Sequence, residues 1–328
     1  MDLGLAIGGN RRVGYPGDQL LREYVELAHA ADACGFKHIE AGAHFLSDAY
    51  IYVQNVPLLA RLAPETGAMK LVLVLPLPFL HPVQAAESVA ALDTLSGGRV
   101  VASVALGYRE EEGQVFGVKR SERVSRMLEA LEIMKLLWSR DGVHFQGRFW
   151  SLQGATSGLK PAQRPYPPVW LATSVAPGVR RAARLGLSWH ADSSLPSSSL
   201  GPLAKAYWDQ WSEAGHKGDG QVVLQRSGYL AGSKAEAVEY LARQLAARRQ
   251  VLHPPSVDSL ENPHPNVSEQ IEATCIAGTP GQAVDQLQDL RARTRAGLVL
   301  LRVHWPDMTL AEMVRQVQLL GKHVVPRI

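Results

Sequence analysis

The sequence has few of the features that mark secreted, membrane or metal-binding proteins. Only 2 of its 328 residues are cysteine. Both Cys34 and Cys275 lie in apolar surroundings without metal-site spacing, so we expect two reduced, packed thiols. The first four residues carry no basic stretch, and no segment offers about 18 uninterrupted apolar residues. These absences predict a cytoplasmic protein without a membrane span.

Several catalytic and binding motifs are also missing. The formal net charge is only +3 and there is no block of Lys and Arg, so we expect no nucleic-acid partner. No strand is followed by GxGxxG, and no GxSxG occurs. The predicted strand ends hold neither a metal-binding set of His, Asp and Glu nor a buried lysine. We therefore expect no metal, and we disfavour hydrolases and Schiff-base enzymes.

Short apolar runs alternate with amphipathic stretches along the whole chain. Hydrophobic residues make up 46% of the chain, enough for a large core. The eight predicted strands, each followed by a helical stretch, are 3–7, 38–40, 71–75, 99–106, 169–172, 187–190, 222–230 and 298–304. Eight βα units predict an α/β fold, a closed (β/α)8 TIM barrel, as one domain over residues 1–328. A doubly wound open sheet is the alternative.

Two segments interrupt this alternation. Residues 143–152 alternate around Gln146-Gly147, which predicts a small hairpin. A segment at about 251–271, rich in Pro, Asn and His, interrupts the seventh unit. It is interpreted as a surface insertion, either a lid over the site or a disordered excursion.

In such barrels the active site lies at the carboxyl ends of the strands. The residues that follow the predicted strands are rich in Leu, Pro, Phe and Trp, which suits an enzyme whose cofactor carries the chemistry. The candidates for a substrate pocket at these ends are Phe79, His190, Arg226, Arg302 and Trp305. The sequence leaves two roles for Arg302, pairing with a substrate carboxylate or with the last carbonyls of a neighbouring strand.

The middle of the chain carries a specific set of motifs. They are His81-Pro82-Val83-Gln84-Ala85-Ala86-Glu87, Leu92-Asp93-Thr94-Leu95-Ser96-Gly97-Gly98-Arg99, Gly107-Tyr108-Arg109-Glu110-Glu111-Glu112 and Phe116-Gly117-Val118-Lys119-Arg120-Ser121-Glu122-Arg123. In this order they resemble the hallmark stretch of the bacterial-luciferase-like, flavin-dependent monooxygenases. Ala277-Gly278-Thr279-Pro280 resembles a late helix start of the same family.

The resemblance implies a reduced FMN, or the deazaflavin F420, at the barrel mouth. His44 matches a histidine near the flavin that moves a proton, the alternative being a packed histidine. Leu73 and Val74 match a bulge that holds a non-prolyl cis peptide behind the ring, the alternative being a regular strand.

The resemblance also implies cofactor contacts. Gly107 and Tyr108 match backbone and ring contacts, and Arg123 matches a phosphate-binding arginine, the alternative being a solvated helix charge. Thr173 and Ser174 would offer hydroxyl and N–H groups to the phosphate, or would only cap a helix.

The function implied is a monooxygenase that uses reduced FMN and O2 on a small apolar organic substrate, with a flavin reductase as partner. An F420-dependent hydride-transfer enzyme and a non-catalytic flavin-binding relative are the alternatives. Departures from the FMN pattern, such as Leu106 at a position where luciferases have an arginine, leave the choice of flavin open. By family analogy we also expect a homodimer.

Overall fold

The computed structural model describes residues 1–216, 218–252 and 266–328, and of residues 249–252 it describes the backbone only. The strands in this part of the chain are β1 (Asp2–Ile7), β2 (His38–Ala41), β3 (Lys70–Pro76), β4 (Val100–Ala105), β5 (Val143–Gln146), β6 (Ser151–Ala155), β7 (Val169–Ala172), β8 (Ser188–Ala191), β9 (Val222–Leu230), β10 (Cys275–Gly278) and β11 (Leu298–Arg302). The helices are α1 (Gly17–Ala33), α2 (Asn55–Leu62), α3 (Pro82–Leu95), α4 (Glu110–Val115), α5 (Arg123–Ser139), α6 (Ala176–Arg184), α7 (Ser197–Glu213), α8 (Lys234–Leu252), α9 (Val267–Thr274), α10 (Pro280–Thr294) and α11 (Leu310–His323).

Eight parallel strands close into a barrel. The order is β1-β2-β3-β4-β7-β8-β9-β11, and β11 returns to pair with β1. The pairing of β8 with β9 completes the ring, so the TIM barrel is confirmed and the open sheet is wrong. Strand β10, which is not part of the ring of eight, pairs with the carboxyl-terminal part of β9. The predicted hairpin is confirmed as β5 and β6.

Two apolar layers hold the barrel together. The larger layer lies between strands and helices, and the smaller one fills the barrel interior with Val72, Val101, Trp170, Val223 and Leu300 among others. Strands covered on both faces have to be apolar throughout, which explains why β3 is a run of Leu and Val. Inward-facing side chains that lie beyond this interior layer are therefore found at the carboxyl ends of the strands.

Some helix boundaries differ from the sequence-based predictions. Thr279 and Thr309 cap α10 and α11 in full capping boxes. At the start of α8 the Ser233 hydroxyl accepts the Glu236 N–H at 3.2 Å, while the Glu236 carboxylate accepts the Gly232 N–H at 3.1 Å. Helix α7 begins at Ser197, within a stretch whose Ser and Pro content is typical of a loop.

The predicted insertion at 251–271 is helical at both ends. Helix α8 continues to Leu252, and α9 occupies Val267–Thr274. Residues 253–265, which make up the rest of this prediction, lie outside the described residues.

Candidate active site at the barrel mouth

His44 is fixed by a buried carboxylate. It follows β2, and its Nδ1 atom lies 3.0 Å from Oε1 of Glu112 in the first turn of α4. The same oxygen accepts the Phe45 N–H at 3.0 Å. The Glu112 side chain is only 2% exposed. The loop after β2 and the loop after β4 are thus joined through one carboxylate.

The charge state of this pair follows from its contacts. Burial acts to raise the pKa of Glu112, but the hydrogen bonds from His44 and the Phe45 N–H outweigh burial and hold that pKa below its ordinary value. Glu112 is therefore an ionised acceptor at neutral pH. Because a carboxylate cannot donate, we assign the proton of the neutral imidazole to Nδ1, which leaves Nε2 free as a base.

Two tyrosines surround the free nitrogen of His44. The Tyr108 hydroxyl lies 3.4 Å from Nε2. The His44 ring meets the Tyr52 and Tyr108 rings edge-on, at 4.7 Å and 5.3 Å between centroids. A cavity of about 190 Å³ lies beside His44, between the β2 loop and helices α2 and α3. His44 thus combines a fixed ring with access to a small space.

The loop after β4 packs closely against the Phe79 ring. Gly107 has a φ of +68°, and a Cβ atom at this position would lie 2.2 Å from the Phe79 ring. Phe79 is buried and stacks on Phe116 at 5.4 Å between centroids. The structure therefore places Phe79 beneath Gly107 as support for the loop, whereas the sequence predicted a place in the substrate pocket.

Arg123 is the second support of this loop. The side chain is 4% exposed. Its Nη1 donates to the Gly107 carbonyl at 2.7 Å, and its Nη2 donates to the Arg109 carbonyl at 3.3 Å and to Glu110 at 3.2 Å. The solvated-charge alternative is thereby wrong. In this arrangement Arg123 holds the loop from behind, and both ends of its guanidinium are already engaged.

Thr173 and Ser174 follow β7, across the mouth from β1 and β11. Val175 is the N-cap of α6, and no side chain caps the N–H groups of its first turn. The simple capping role for Thr173 and Ser174 is therefore wrong. A Cβ at Gly178 would lie 2.1 Å from Thr173 Oγ1, so the threonine packs tightly on this helix start.

Leu73 and Val74 lie in a regular strand, which corrects the prediction of a bulge with a cis peptide. Leu73 pairs with Ala102 of β4 and Val74 pairs with Ser103, in unbroken register. The cis bond found among the described residues is Arg164–Pro165. The regular conformation of β3 follows from its pairing with β2 on one side and β4 on the other, because these ladders fix an extended backbone.

A chain of polar side chains crosses the barrel interior below the mouth. Ser103 Oγ lies 2.8 Å from His190 Nδ1, and Gln225 Nε2 donates to Glu40 Oε1 at 2.7 Å. Between them, His190 Nε2 and Glu40 Oε2 are 3.3 Å apart, yet their orientation makes no hydrogen bond. Burial raises the pKa of Glu40 to about 8 and lowers the pKa of His190 to about 4. Both groups are therefore mainly neutral at pH 7, and the contact is not an ion pair.

The remaining predicted pocket residues are spread apart. His190 lies inside the barrel, against the Trp170 ring. Trp305 is buried in the core and donates to the Gly228 carbonyl at 3.1 Å, which corrects its assignment to the pocket. Arg226 shares the outer side of β9 with Leu224 by strand alternation, so it also stands away from the interior. Arg302 remains, partly exposed at the end of β11.

Sequence reasoning missed three residues that shape the mouth, namely Glu112, Glu40 and Arg248. Glu112 lies among three consecutive glutamates, and only the helix geometry shows which of them is buried. Glu40 is the one acidic residue within a predicted strand, a signal that an isolated charge in a buried strand needs a partner. Arg248 is on α8, away from any strand end, and no sequence signal marks it.

Other features exclude competing sites. The larger cavity of about 990 Å³ lies outside the barrel between α1 and α11, and none of the predicted site residues lines it. Within residues 1–216, 218–252 and 266–328, no group of three or more His, Cys, Asp and Glu could hold a metal ion. The candidate site is the mouth around His44, where Glu112, Tyr52 and Tyr108 contact the imidazole. No described helix is both long and apolar enough to cross a membrane.

Known proteins with similar sequences include two named monooxygenases. The chain is 33% identical over 157 residues to the oxygenase component of a flavin-dependent trigonelline monooxygenase from Acinetobacter baylyi, covering 47% of this chain and 43% of that protein. It is 29% identical over 165 residues to an FMNH2-dependent dimethylsulfone monooxygenase from Pseudomonas putida, covering 48% and 44%. The matched part thus spans less than half the length of these two relatives.

Two solved structures are similar over nearly the whole chain. Monooxygenase RslO1 from Streptomyces bottropensis superposes with a TM-score of 0.88 at 25% identity, covering 99% of both chains. An F420-dependent secondary alcohol dehydrogenase superposes with a TM-score of 0.78 at 17% identity, covering 99% and 98%, which shows a shared fold. The family model described as luciferase-like monooxygenase matches residues 1–296. The chain belongs to the luciferase-like monooxygenase family.

Proposed function

We propose that the chain is the oxygenase component of a two-component monooxygenase, which uses reduced FMN and O2 to oxidise a small organic substrate. The observation that carries this proposal is the His44–Glu112 pair at the mouth, beside the close-packed Gly107 loop. Two relatives named as flavin-dependent and FMNH2-dependent support FMN as cofactor. The words "oxygenase component" in the name of one of them support a separate flavin reductase as partner.

The residues present fit a flavin phosphate and its ribityl chain. The uncapped first turn of α6 offers N–H groups and the positive end of the helix dipole to an anion, with Thr173 and Ser174 beside it. Gly107 allows the backbone to come closer than any side chain would permit. We assign Tyr108 to the cofactor's side of the mouth, Val74 to the wall behind it, and Arg123 to positioning the loop. Leu73, by strand alternation, faces the helices and supports this wall from outside.

When bound, reduced FMN would supply the electrons with which O2 is activated. The protein's part is to hold the reactants and to move one proton. His44 Nε2 is the basic nitrogen, Glu112 sets its orientation, and the Tyr108 hydroxyl lies 3.4 Å from it. A positioned base of this kind contributes about 10²–10⁴-fold to rate.

The test is oxygen uptake with an added NADH-dependent flavin reductase, FMN and a panel of small organic substrates. The proposal predicts uptake that forms an oxygenated product when the chain and one substrate class are present. The same panel under anaerobic conditions with reduced F420 tests hydride transfer. Turnover only with F420 would replace the proposal. Binding of neither flavin would leave a non-catalytic relative.

The expected homodimer, through the helices of the second and third units, stays part of the proposal. Sedimentation of the purified chain tests it, with a single monomeric species as the result that contradicts it.

A further inference from the structure

Two arginines at the mouth lack a carboxylate partner. The side chain of Arg302, at the end of β11, makes no hydrogen bond or ion pair with any described residue, and its Nε is buried without a partner. Arg248 reaches across from α8, where it donates to the Tyr52 hydroxyl at 3.4 Å and lies 5.1 Å from the centre of the Tyr50 ring. Two partly desolvated charges without a counter-ion are costly unless a ligand supplies the negative charge.

Several buried polar groups around these arginines can donate a hydrogen bond and have no partner. Asn10 Nδ2, the Tyr50 hydroxyl and both ring nitrogens of His304 are buried and have no hydrogen-bond partner. Each of these three side chains is only 1% exposed. Buried polar atoms without partners are uncommon in native proteins, and several together indicate a ligand. Asn10 Nδ2, the Tyr50 hydroxyl and one nitrogen of the neutral His304 ring can each donate to an acceptor oxygen of such a ligand.

These groups converge on one side of the barrel. The strand that carries Arg302 pairs with β1, and the segment after β1 pairs in turn with 49–51. Arg248 reaches the same side through its contacts with Tyr52 and Tyr50.

Burial and then the charges of Arg302, Arg248 and Arg11 lower the pKa of His304 well below its ordinary value. Arg11 is neutralised by its ion pair with Glu23. The Arg302 charge also acts on Glu40, but burial raises the pKa of Glu40 to about 8 and leaves this carboxyl group mainly protonated at pH 7. The charges without a counter-ion are therefore those of Arg302 and Arg248.

We propose that Arg302 and Arg248 form an anion subsite for a carboxylate of the organic substrate, lined by Asn10, Tyr50 and His304. This inference rests on the proposed function, and it replaces the expected apolar substrate by an organic acid. Arginine suits the role because its planar fork binds a carboxylate through two parallel hydrogen bonds. Tyr52 contacts both Arg248 and the His44 ring, so a bound acid would extend its body towards His44.

The position also separates this subsite from the expected phosphate end of the flavin. Strands β11 and β1 lie opposite β4 and β7 in the closed ring, and α6 follows β7. A second anionic source is the pyrimidine edge of reduced flavin, which carries negative charge of its own. The experiment is therefore designed to distinguish a substrate carboxylate from the flavin edge.

The test is calorimetric titration of the flavin-free chain with benzoate and with benzamide, which has the same shape without the charge. We expect benzoate to bind at least about 10-fold more tightly, and this preference to disappear in R302Q and R248Q. The matched control is R243Q, since Arg243 is exposed on the same helix, and it keeps the preference. R302K keeps the positive charge but loses the planar guanidinium. We expect it to retain part of the benzoate preference, which distinguishes loss of the local contact from misfolding.

Equal affinity of the wild-type chain for benzoate and benzamide, including no binding of either, would overturn the subsite. So would R302Q and R248Q variants that keep the benzoate preference. Arginine variants that weaken reduced FMN binding, with benzoate binding unchanged, would reassign the arginines to the flavin edge. Failure of the proposed function has a different signature, namely no binding of reduced FMN to a wild-type chain that still prefers benzoate.

Discussion

Glu112 Oε1 is shared between His44 Nδ1 and the Phe45 N–H, each at 3.0 Å. One buried oxygen therefore fixes both the tautomer of the imidazole and the backbone of the loop that carries it. The Glu112 side chain comes from α4, after the fourth barrel strand, so the contact also joins the loops after β2 and β4, which lie on either side of β3. Loss of this carboxylate has consequences for stability as well as for chemistry.

E112Q is expected to lower the free energy of unfolding by about 1–3 kcal/mol at pH 7, because a buried charge-assisted hydrogen bond to His44 is lost. The pKa of Glu112 is lowered in the folded state, so its stabilisation is present above the ordinary pKa of 4.5 and is lost as pH falls through the folded value. Urea denaturation at pH 7 and at acid pH measures this. E111Q is the control, since Glu111 is 73% exposed. Equal stability of the two variants would contradict the account.

G107A is expected to destabilise the fold and weaken reduced FMN binding, because it adds a clash with Phe79 to the strain of a positive φ. G117A is a close control: Gly117 has a φ of +64°, and a Cβ atom added there would have nothing within 4 Å. Both variants lose about 1 kcal/mol of stability through the backbone, and G107A loses about 1–3 kcal/mol more through overpacking. Thermal denaturation and flavin titration of both variants measure the difference. Equal stability and equal flavin affinity of G107A and G117A would show that Gly107 is not closely packed.

Glu40 predicts a pH dependence of stability in the neutral range. Burial raises its pKa to about 8 from 4.5, so between these values the folded chain binds a proton that the unfolded chain has lost. Stability contributed by this group therefore falls as pH rises, by up to about 1.4 kcal/mol per pH unit. The pKa of His190, lowered to about 4, acts with the opposite sign only below 6.5.

Urea denaturation between pH 6.5 and 8 isolates this carboxyl group. We expect the difference in unfolding free energy between wild type and E40Q to change by about 2 kcal/mol over that interval. E132Q is the control, because Glu132 is exposed on α5. A pH-independent difference would mean that Glu40 is ionised throughout.

H44A is expected to lower the rate of product formation by about 10²–10⁴-fold while reduced FMN still binds. The physical reason is the loss of the base at Nε2. Steady-state oxygenation with a flavin reductase measures the rate, and an anaerobic titration measures binding. H144A serves as control, since His144 is exposed on the β5–β6 hairpin. Undiminished product formation by H44A would remove His44 from the mechanism.

The barrel was predictable because its strands are apolar runs separated by amphipathic helices, a pattern that depends on local sequence alone. Helix α4 was not, because its acidic first turn offers no apolar stripe. Strand β10 is four residues long and too short for a period to be recognised. Among the site residues, His44, Gly107 and Arg123 were predicted from the positions that match the family. Arg248 reaches the mouth only through the length and direction of α8, which no local pattern encodes.

The central claim is that this mouth binds reduced FMN. Anaerobic fluorescence titration of the flavin-free chain with reduced FMN and with reduced F420, in wild type and in G107A, tests it most directly. The account predicts saturable 1:1 binding of reduced FMN, weaker binding of F420, and weaker binding of FMN by G107A than by G117A. Tighter binding of F420 than of FMN, or no binding of FMN at all, would contradict it.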